Sequence, residues 1–123
     1  MSTISEKVFP FSMTFEYLSA KDQEIVLRCM KAAAAYLDES EIHTRMGIEA
    51  GELQRQIALW PEIDDQNEGG IGFLAVNNSM NEVCHGFRIE ASDWGNWFDT
   101  PKEDVVSAYR RWLALTRASG GIQ

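Results

Sequence analysis

The side chains best suited to chemistry lie together in residues 73–86, FLAVNNSMNEVCHG. If this segment is a helix, Asn77, Asn81 and His85 follow one another at four-residue spacing along one face. Carboxamides there would offer fixed donors and acceptors to a polar ligand, and a carboxylate near an imidazole could transfer protons. We call the candidate ligand-binding set the polar strip: Asn77, Asn78, Asn81, Glu82 and His85.

A structural role for the polar strip stays open beside the binding role. Asparagine is a poor helix former because its amide competes for nearby backbone groups, so three in one helix need a reason beyond local propensity. Their amides could satisfy the backbone of an adjacent turn or set register at a subunit contact. No nucleophile or set of metal ligands accompanies them, so the sequence favours a protein that is not an enzyme.

The strip depends on a helix that packs through its other side. Apolar residues at three- and four-residue steps predict that packed side, and Gly86 is expected to end the helix. The apolar stripe is Phe73, Val76, Met80, Val83 and Phe87.

Other helices are indicated by their end signals. Ser19 is a candidate N-cap for a helix that runs to about Leu37. A short helical or turn segment covers residues 39–47, and a helix over about 49–60 ends at Pro61. Thr100-Pro101-Lys102-Glu103 predicts a capping box with proline at the first position of a last helix.

Two segments alternate apolar and polar residues as strands do. They are FSMTFEY at 11–17 and FRIE at 87–90, which could pair with each other. We therefore predict a single domain over residues 1–123 with a helix-dominated α+β fold, four to five helices and a small two-stranded sheet. An all-α bundle is the alternative.

An aromatic turn, SDWGNWFD, precedes the last helix. Trp94, Trp97 and Phe98 stand there between Asp93 and Asp99. Aromatic residues ringed by acids can form a protein-binding patch or hold a cation, so these three aromatic residues form a candidate interaction surface. Alternatively they fold back to close the core. Two-fold self-association would also cover them, so a homodimer is a further possibility.

The formal net charge of −8 is unevenly distributed. Residues 62–104 contain ten acidic residues against Arg88 and Lys102, which accounts for the whole charge. Such a half repels nucleic acid and anionic lipid, and attracts a basic protein or a cationic small molecule. Charge that serves solubility alone is the other interpretation.

Three familiar sites fit poorly. Residues 39–60 resemble a helix-turn-helix in spacing but lack the clustered bases that bind phosphates, so no nucleic acid partner is expected. An acidic linker, PEIDDQNEGGIG, precedes the polar-strip helix. The run DDQNEGGIGFLA, which starts in this linker, begins like a calcium loop, but Ala75 stands where a closing glutamate is needed. A looser cation site among Asp64, Asp65 and Glu68 stays open. His43 and His85 have no evident third ligand, so we predict no metal and no cofactor.

Export and membrane insertion are not indicated. The first residues, MSTISEKVFPFSM, contain no apolar run followed by a cleavage site, and no run of about 20 apolar residues occurs. Cys29 and Cys84 each lie in an apolar helical pattern, as buried reduced thiols do, although a disulfide between them stays open. We expect a cytoplasmic protein.

The run NNSMNEVCHGF, then DWGNWFD and a closing tryptophan helix, resembles small bacterial proteins of unknown activity that are encoded on integron gene cassettes. The resemblance covers about the C-terminal half, from Trp60 onward. It implies a bacterial origin and an accessory role in the cytoplasm, and it carries over no active-site residues.

The sequence thus favours a non-enzymatic, acidic binding protein that recognises a basic protein or a cationic small ligand. The alternative is a small enzyme or polar-ligand-binding domain that uses the polar strip.

Overall fold

The computed structural model describes residues 17–121, with side chains as far as Thr116, and this part of the chain forms six helices. They are α1 (Ala20–Tyr36), α2 (Glu39–Glu41, continued by a π-helical turn at Ile42–Met46), α3 (Ala50–Leu59), α4 (Ile71–His85), α5 (Ala91–Trp97) and α6 (Lys102–Gly121). The prediction of a helix-dominated fold is confirmed. Residues 17–121 contain no strand, which fits the all-α alternative better than a sheet.

The strand predicted at residues 87–90 is wrong, because these residues form an irregular connection between α4 and α5. Their alternation has another cause. Phe87 stacks on Tyr36 of α1 with ring centroids 5.1 Å apart, and Ile89 also packs against the core. Arg88 and Glu90 point to solvent between and after them. The other predicted strand, residues 11–17, lies outside the described residues except for Tyr17.

Helix α1 begins as the sequence predicts. The Ser19 side chain accepts a hydrogen bond from the Asp22 amide at 3.0 Å, which satisfies one of the free donors of the first turn. Its apolar side, which includes Val26, Cys29 and Met30, is fully buried. This side packs mainly against α4, and α1 also contacts α3, α5 and α6.

Helix α4 is the second central element and packs against α1, α6, α3 and the π-helical turn of α2. Val76 and Met80 of the apolar stripe are fully buried, and Val83 is nearly so. The helix begins at Ile71, two residues before the predicted segment, and ends before Gly86, as predicted. The stripe therefore positions the polar strip as the sequence indicates.

The predicted aromatic turn is instead the short helix α5, followed after four residues by α6. Helix α6 begins at Lys102, one residue later than predicted, because Pro101 precedes the first helical position instead of occupying it. The capping contact differs from the predicted box, because the Thr100 hydroxyl donates to the Asp104 carboxylate. This bond and the Lys21 ammonium lower the pKa of Asp104.

The described helices were also searched for a membrane span. None of them within residues 17–121 is both long enough and apolar enough to cross a bilayer.

Candidate functional site

Two residues of the polar strip form a hydrogen-bonded relay that joins three helices. The Tyr109 hydroxyl on α6 donates to Asn77 Oδ1 at 2.7 Å, and Asn77 Nδ2 donates to Asn78 Oδ1 at 2.9 Å. Asn78 Nδ2 then donates to the Met46 carbonyl oxygen at 2.8 Å, at the end of α2. Both asparagines are half-buried. Their amides satisfy polar groups of the fold, which is the structural alternative left open by the sequence.

Glu82 forms an ion pair with a residue of α2. Its side chain is buried, and Arg45 Nη2 lies 2.8 Å from Glu82 Oε1, which forms an ion pair without the geometry of a directed hydrogen bond. The carboxylate folds over Gly86, where a Cβ would collide with it. The Glu82 carboxylate therefore holds the Arg45 guanidinium of α2 against α4.

Asn81 and His85 are the exposed members of the polar strip. The strip is thus divided: Asn77, Asn78 and Glu82 face protein partners, and Asn81 and His85 face solvent. Whether any of the five binds a ligand stays a prediction.

The relay predicts unequal effects for two chemically matched substitutions on α4. Asn78→Ala should lower the free energy of unfolding by about 1–2 kcal/mol, because it leaves the Met46 carbonyl without its donor, partly offset by the better helix propensity of alanine. Asn81→Ala should raise it by about 0.5 kcal/mol, because only the propensity changes. Urea unfolding followed by circular dichroism measures both. Equal effects at the two positions would contradict the relay.

The aromatic residues of α5 are fixed against the core. Phe98 is 1% exposed, so its side chain does not contribute to a surface, contrary to the interaction surface predicted for it. Trp94 stacks on Phe98 with centroids 4.6 Å apart, and its Nε1 donates to the Thr100 carbonyl oxygen at 2.7 Å. Trp97 contacts Tyr36 edge-on at 5.8 Å. The two indoles remain half-buried, so part of each faces solvent.

Four exposed carboxylates lie on α5 or on the chain segments directly before and after it, and we call Glu90, Asp93, Asp99 and Glu103 the acidic surface. Arg88 Nε lies 3.7 Å from Glu90, and Arg28 Nη1 lies 3.8 Å from Asp99. Among the side chains described, residues 17–116, Asp93 and Glu103 have no ion pair. The described side chains therefore neutralise the acidic surface only weakly.

A groove of about 630 Å³ lies between the end of α4, α5 and the start of α6. It brings together His85 of the polar strip and Trp94 of the aromatic segment, which the sequence treats as separate candidates. Asn77, Asn78, Asn81 and Glu82 do not line it. Arg88 and Lys102 line the groove, and neither was identified from the sequence as a site residue. Their signal was available, since they are the only two bases of residues 62–104.

Cys84 also lines this groove, but its thiol is not activated. Burial raises the pKa of Cys84 to about 11, although the charges of Lys102 and Arg110 lower it in part. Burial and the neighbouring Cys84 raise the pKa of Cys29 well above its ordinary value. Both cysteines are free, so the disulfide left open by the sequence is not formed. Neither thiol is a thiolate near neutral pH, and thiolates are the nucleophilic form.

The acidic linker packs onto the core. Asp65 is 1% exposed and accepts a hydrogen bond from Trp112 Nε1 at 2.8 Å, so this carboxylate serves the core. In the part of the chain that the structure describes, no three His, Cys, Asp or Glu side chains are grouped so that they could hold a metal ion. The looser cation site among Asp64, Asp65 and Glu68 therefore gains no support.

Comparisons with protein families, curated proteins and solved structures found no match to this chain. The resemblance to integron-cassette proteins accordingly stays a prediction that these comparisons do not test.

Proposed function

We propose that this protein is a non-enzymatic binding protein whose acidic surface around α5 engages a basic protein or a cationic small molecule, in the cytoplasm. The observation that supports this is a set of four exposed carboxylates on and beside one short helix, of which Asp93 and Glu103 have no ion pair with any side chain of residues 17–116. A basic partner would neutralise charge that the described chain leaves largely uncompensated.

The half-buried indoles of Trp94 and Trp97 supply the apolar part of this surface. Both are packed against another ring, the first stacked on Phe98 and the second edge-on to Tyr36. In addition, Arg28 Nη1 donates to the Trp97 carbonyl oxygen at 2.9 Å, which ties α5 to α1. Rigid aromatic side chains lose little entropy on binding, and protein interfaces are enriched in them. Self-association through this surface stays a prediction.

No observation favours the alternative, an enzyme built on the polar strip. Asn77 and Asn78 are bonded to each other and to the fold, and Glu82 faces Arg45. The strip therefore presents only Asn81 and His85 to a ligand.

Calorimetric titration with an octalysine peptide at low ionic strength tests the proposal. The double variant Asp93→Asn/Glu103→Gln should bind about 5-fold or more weakly than the parent protein, because close charge pairs to the peptide are lost. The matched control is Glu62→Gln/Glu68→Gln, which removes the same charge from exposed residues of the linker. It should retain most of the affinity. An equal loss in both variants would show attraction by net charge alone and contradict a defined surface.

A further inference from the structure

We propose that the groove between α4, α5 and α6 binds a small aromatic carboxylate. The groove adjoins the acidic surface, because Trp94 lines the groove and also belongs to that surface, but it would take a ligand of opposite charge to the partner proposed above. It does not depend on the proposed function.

The wall of the groove is largely apolar. Carbon-rich side chains from the end of α4, the connection to α5 and the start of α6 provide it: Val83, Phe87, Ile89, Ala91, Trp94 and Pro101. A volume of about 630 Å³ lies in the range of small-molecule sites, which are apolar clefts with a few polar groups that orient the ligand.

Trp94 determines what kind of apolar group fits. Its Nε1 is already bonded to the Thr100 carbonyl oxygen, and one face of its ring is stacked on Phe98. The part of Trp94 that remains to face the groove is indole carbon, on the other face of the ring or at its outer edge. A flat aromatic ring placed there would extend the stack begun by Phe98 and Trp94, and such pairs are stabilising beyond their buried area.

The polar lining of the groove is basic. His85, Arg88 and Lys102 line it, all three exposed, and no Asp or Glu does. This is opposite in sign to the chain as a whole, whose net charge is −8. The influence of Lys102 and Arg110 on Cys84 shows that the positive charge reaches the groove wall.

The partial charges at the helix ends do not cancel the positive charge of the groove lining. Helix α4 ends at the groove and α6 begins there, so partial charges of opposite sign from the two helix ends largely offset each other. Of the exposed acids beside the groove, Glu90 lies 3.7 Å from Arg88 in a pair whose side chains are 84% and 66% exposed, and Asp93 and Glu103 do not line the groove. Exposed pairs of this kind are weak, so Arg88 can turn to a ligand carboxylate, which it binds in a bidentate manner.

The experiment is a calorimetric titration of the full chain with 2-naphthoate, repeated with the uncharged 2-naphthamide and with decanoate. We expect 2-naphthoate to bind at least 10-fold more tightly than either of the other two. Equal binding of the amide would overturn the role of the basic residues. Tighter binding of decanoate would overturn the aromatic ligand class, and no heat of binding with 2-naphthoate would overturn the site.

Variants locate the binding. Arg88→Gln/Lys102→Gln changes two exposed side chains, so the fold should be retained, and it should weaken 2-naphthoate binding at least 10-fold while leaving 2-naphthamide unaffected. The matched control, Lys31→Gln/Arg55→Gln, removes the same charge from exposed positions on α1 and α3 and should bind like the parent. Equal weakening in both variants would overturn the groove as the site.

A third variant tests the apolar wall without a change in charge. Ala91 is exposed on the groove wall, and Ala91→Phe would fill part of the space. It should abolish 2-naphthoate binding while octalysine binding persists. Unchanged 2-naphthoate affinity in this variant would overturn the groove. Octalysine binding is tested through Asp93 and Glu103, and 2-naphthoate binding through Arg88 and Lys102, so failure of one proposal is distinguishable from failure of the other.

Discussion

Replacing Trp112 with alanine should lower the free energy of unfolding by about 3–5 kcal/mol, the largest effect expected from a core side chain of this protein. Trp112 is fully buried and is the largest side chain of the core. It packs against Phe73 with ring centroids 5.4 Å apart and stacks with Tyr109 at 6.3 Å. Truncation would leave a cavity where α4, α6 and the acidic linker meet, and the surrounding helices can close it only in part.

A smaller substitution separates packing from hydrogen bonding. Trp112→Phe retains most of the apolar volume but removes the donor to Asp65, whose carboxylate is buried. We expect a loss of about 1–3 kcal/mol, because a buried carboxylate loses a hydrogen bond inside the core. Denaturant unfolding measures both variants. If Trp112→Phe were as stable as the parent protein, the bond between the linker and α6 would have no energetic importance.

Among substitutions that add a single methyl group, Gly72→Ala should lower the free energy of unfolding the most. Gly72 is buried in the first turn of α4, and a Cβ there would collide with the Asp64 carbonyl oxygen and lie 2.8 Å from the Asp64 carbonyl carbon. Backbone atoms cannot rotate away as a flexible side chain can, so the linker must be displaced. We expect a loss of about 3 kcal/mol, at the upper end of the usual cost of overpacking.

The matched control is Gly51→Ala in the first turn of α3. Nothing lies within 4 Å of the position that its Cβ would occupy. Alanine there should raise the free energy of unfolding by about 0.4–1 kcal/mol, because it restricts the unfolded chain and is compatible with the helix. Thermal and urea unfolding of the two variants measure the contrast. Similar effects of the same sign would show that the linker does not press on α4.

Helix ends were predictable from the sequence because their signals are local. Ser19 caps α1, Pro61 follows the end of α3, and Gly86 follows the end of α4, each as expected. These signals depend on residues within one turn of the boundary, so they do not require knowledge of the tertiary fold.

Buried carboxylates were not predictable, because their partners are remote in the chain. Asp22, only 3% exposed, accepts two hydrogen bonds from Arg111, at 2.7 and 2.9 Å, and Arg111 lies 89 residues away. Asp22 in turn raises the pKa of Arg111. Asp65 accepts a hydrogen bond from Trp112, which lies 47 residues later in the chain. From the sequence alone, these acids count as surface charge.

The candidate site was partly predictable for the same reason. The helical spacing placed the polar strip opposite the apolar stripe, but only the fold shows that Asn78 bonds to Met46, 32 residues earlier. The prediction of a strand at residues 87–90 was wrong because alternating apolar and polar residues indicate only that burial alternates. They do not show whether a strand or a helix buries the apolar residues. Phe87 and Ile89 pack against helices.

The central claim is that partner binding occurs at the acidic surface around α5 and that the inner residues of the polar strip hold the fold together. Nuclear magnetic resonance of the ¹⁵N-labelled protein during an octalysine titration tests both statements at once. We predict that shifts concentrate in the amides of residues 90–103 and the indole N–H groups of Trp94 and Trp97, with the side-chain amides of Asn77 and Asn78 unmoved. Shifts centred on those side-chain amides, or spread evenly over every exposed acid, would contradict the account.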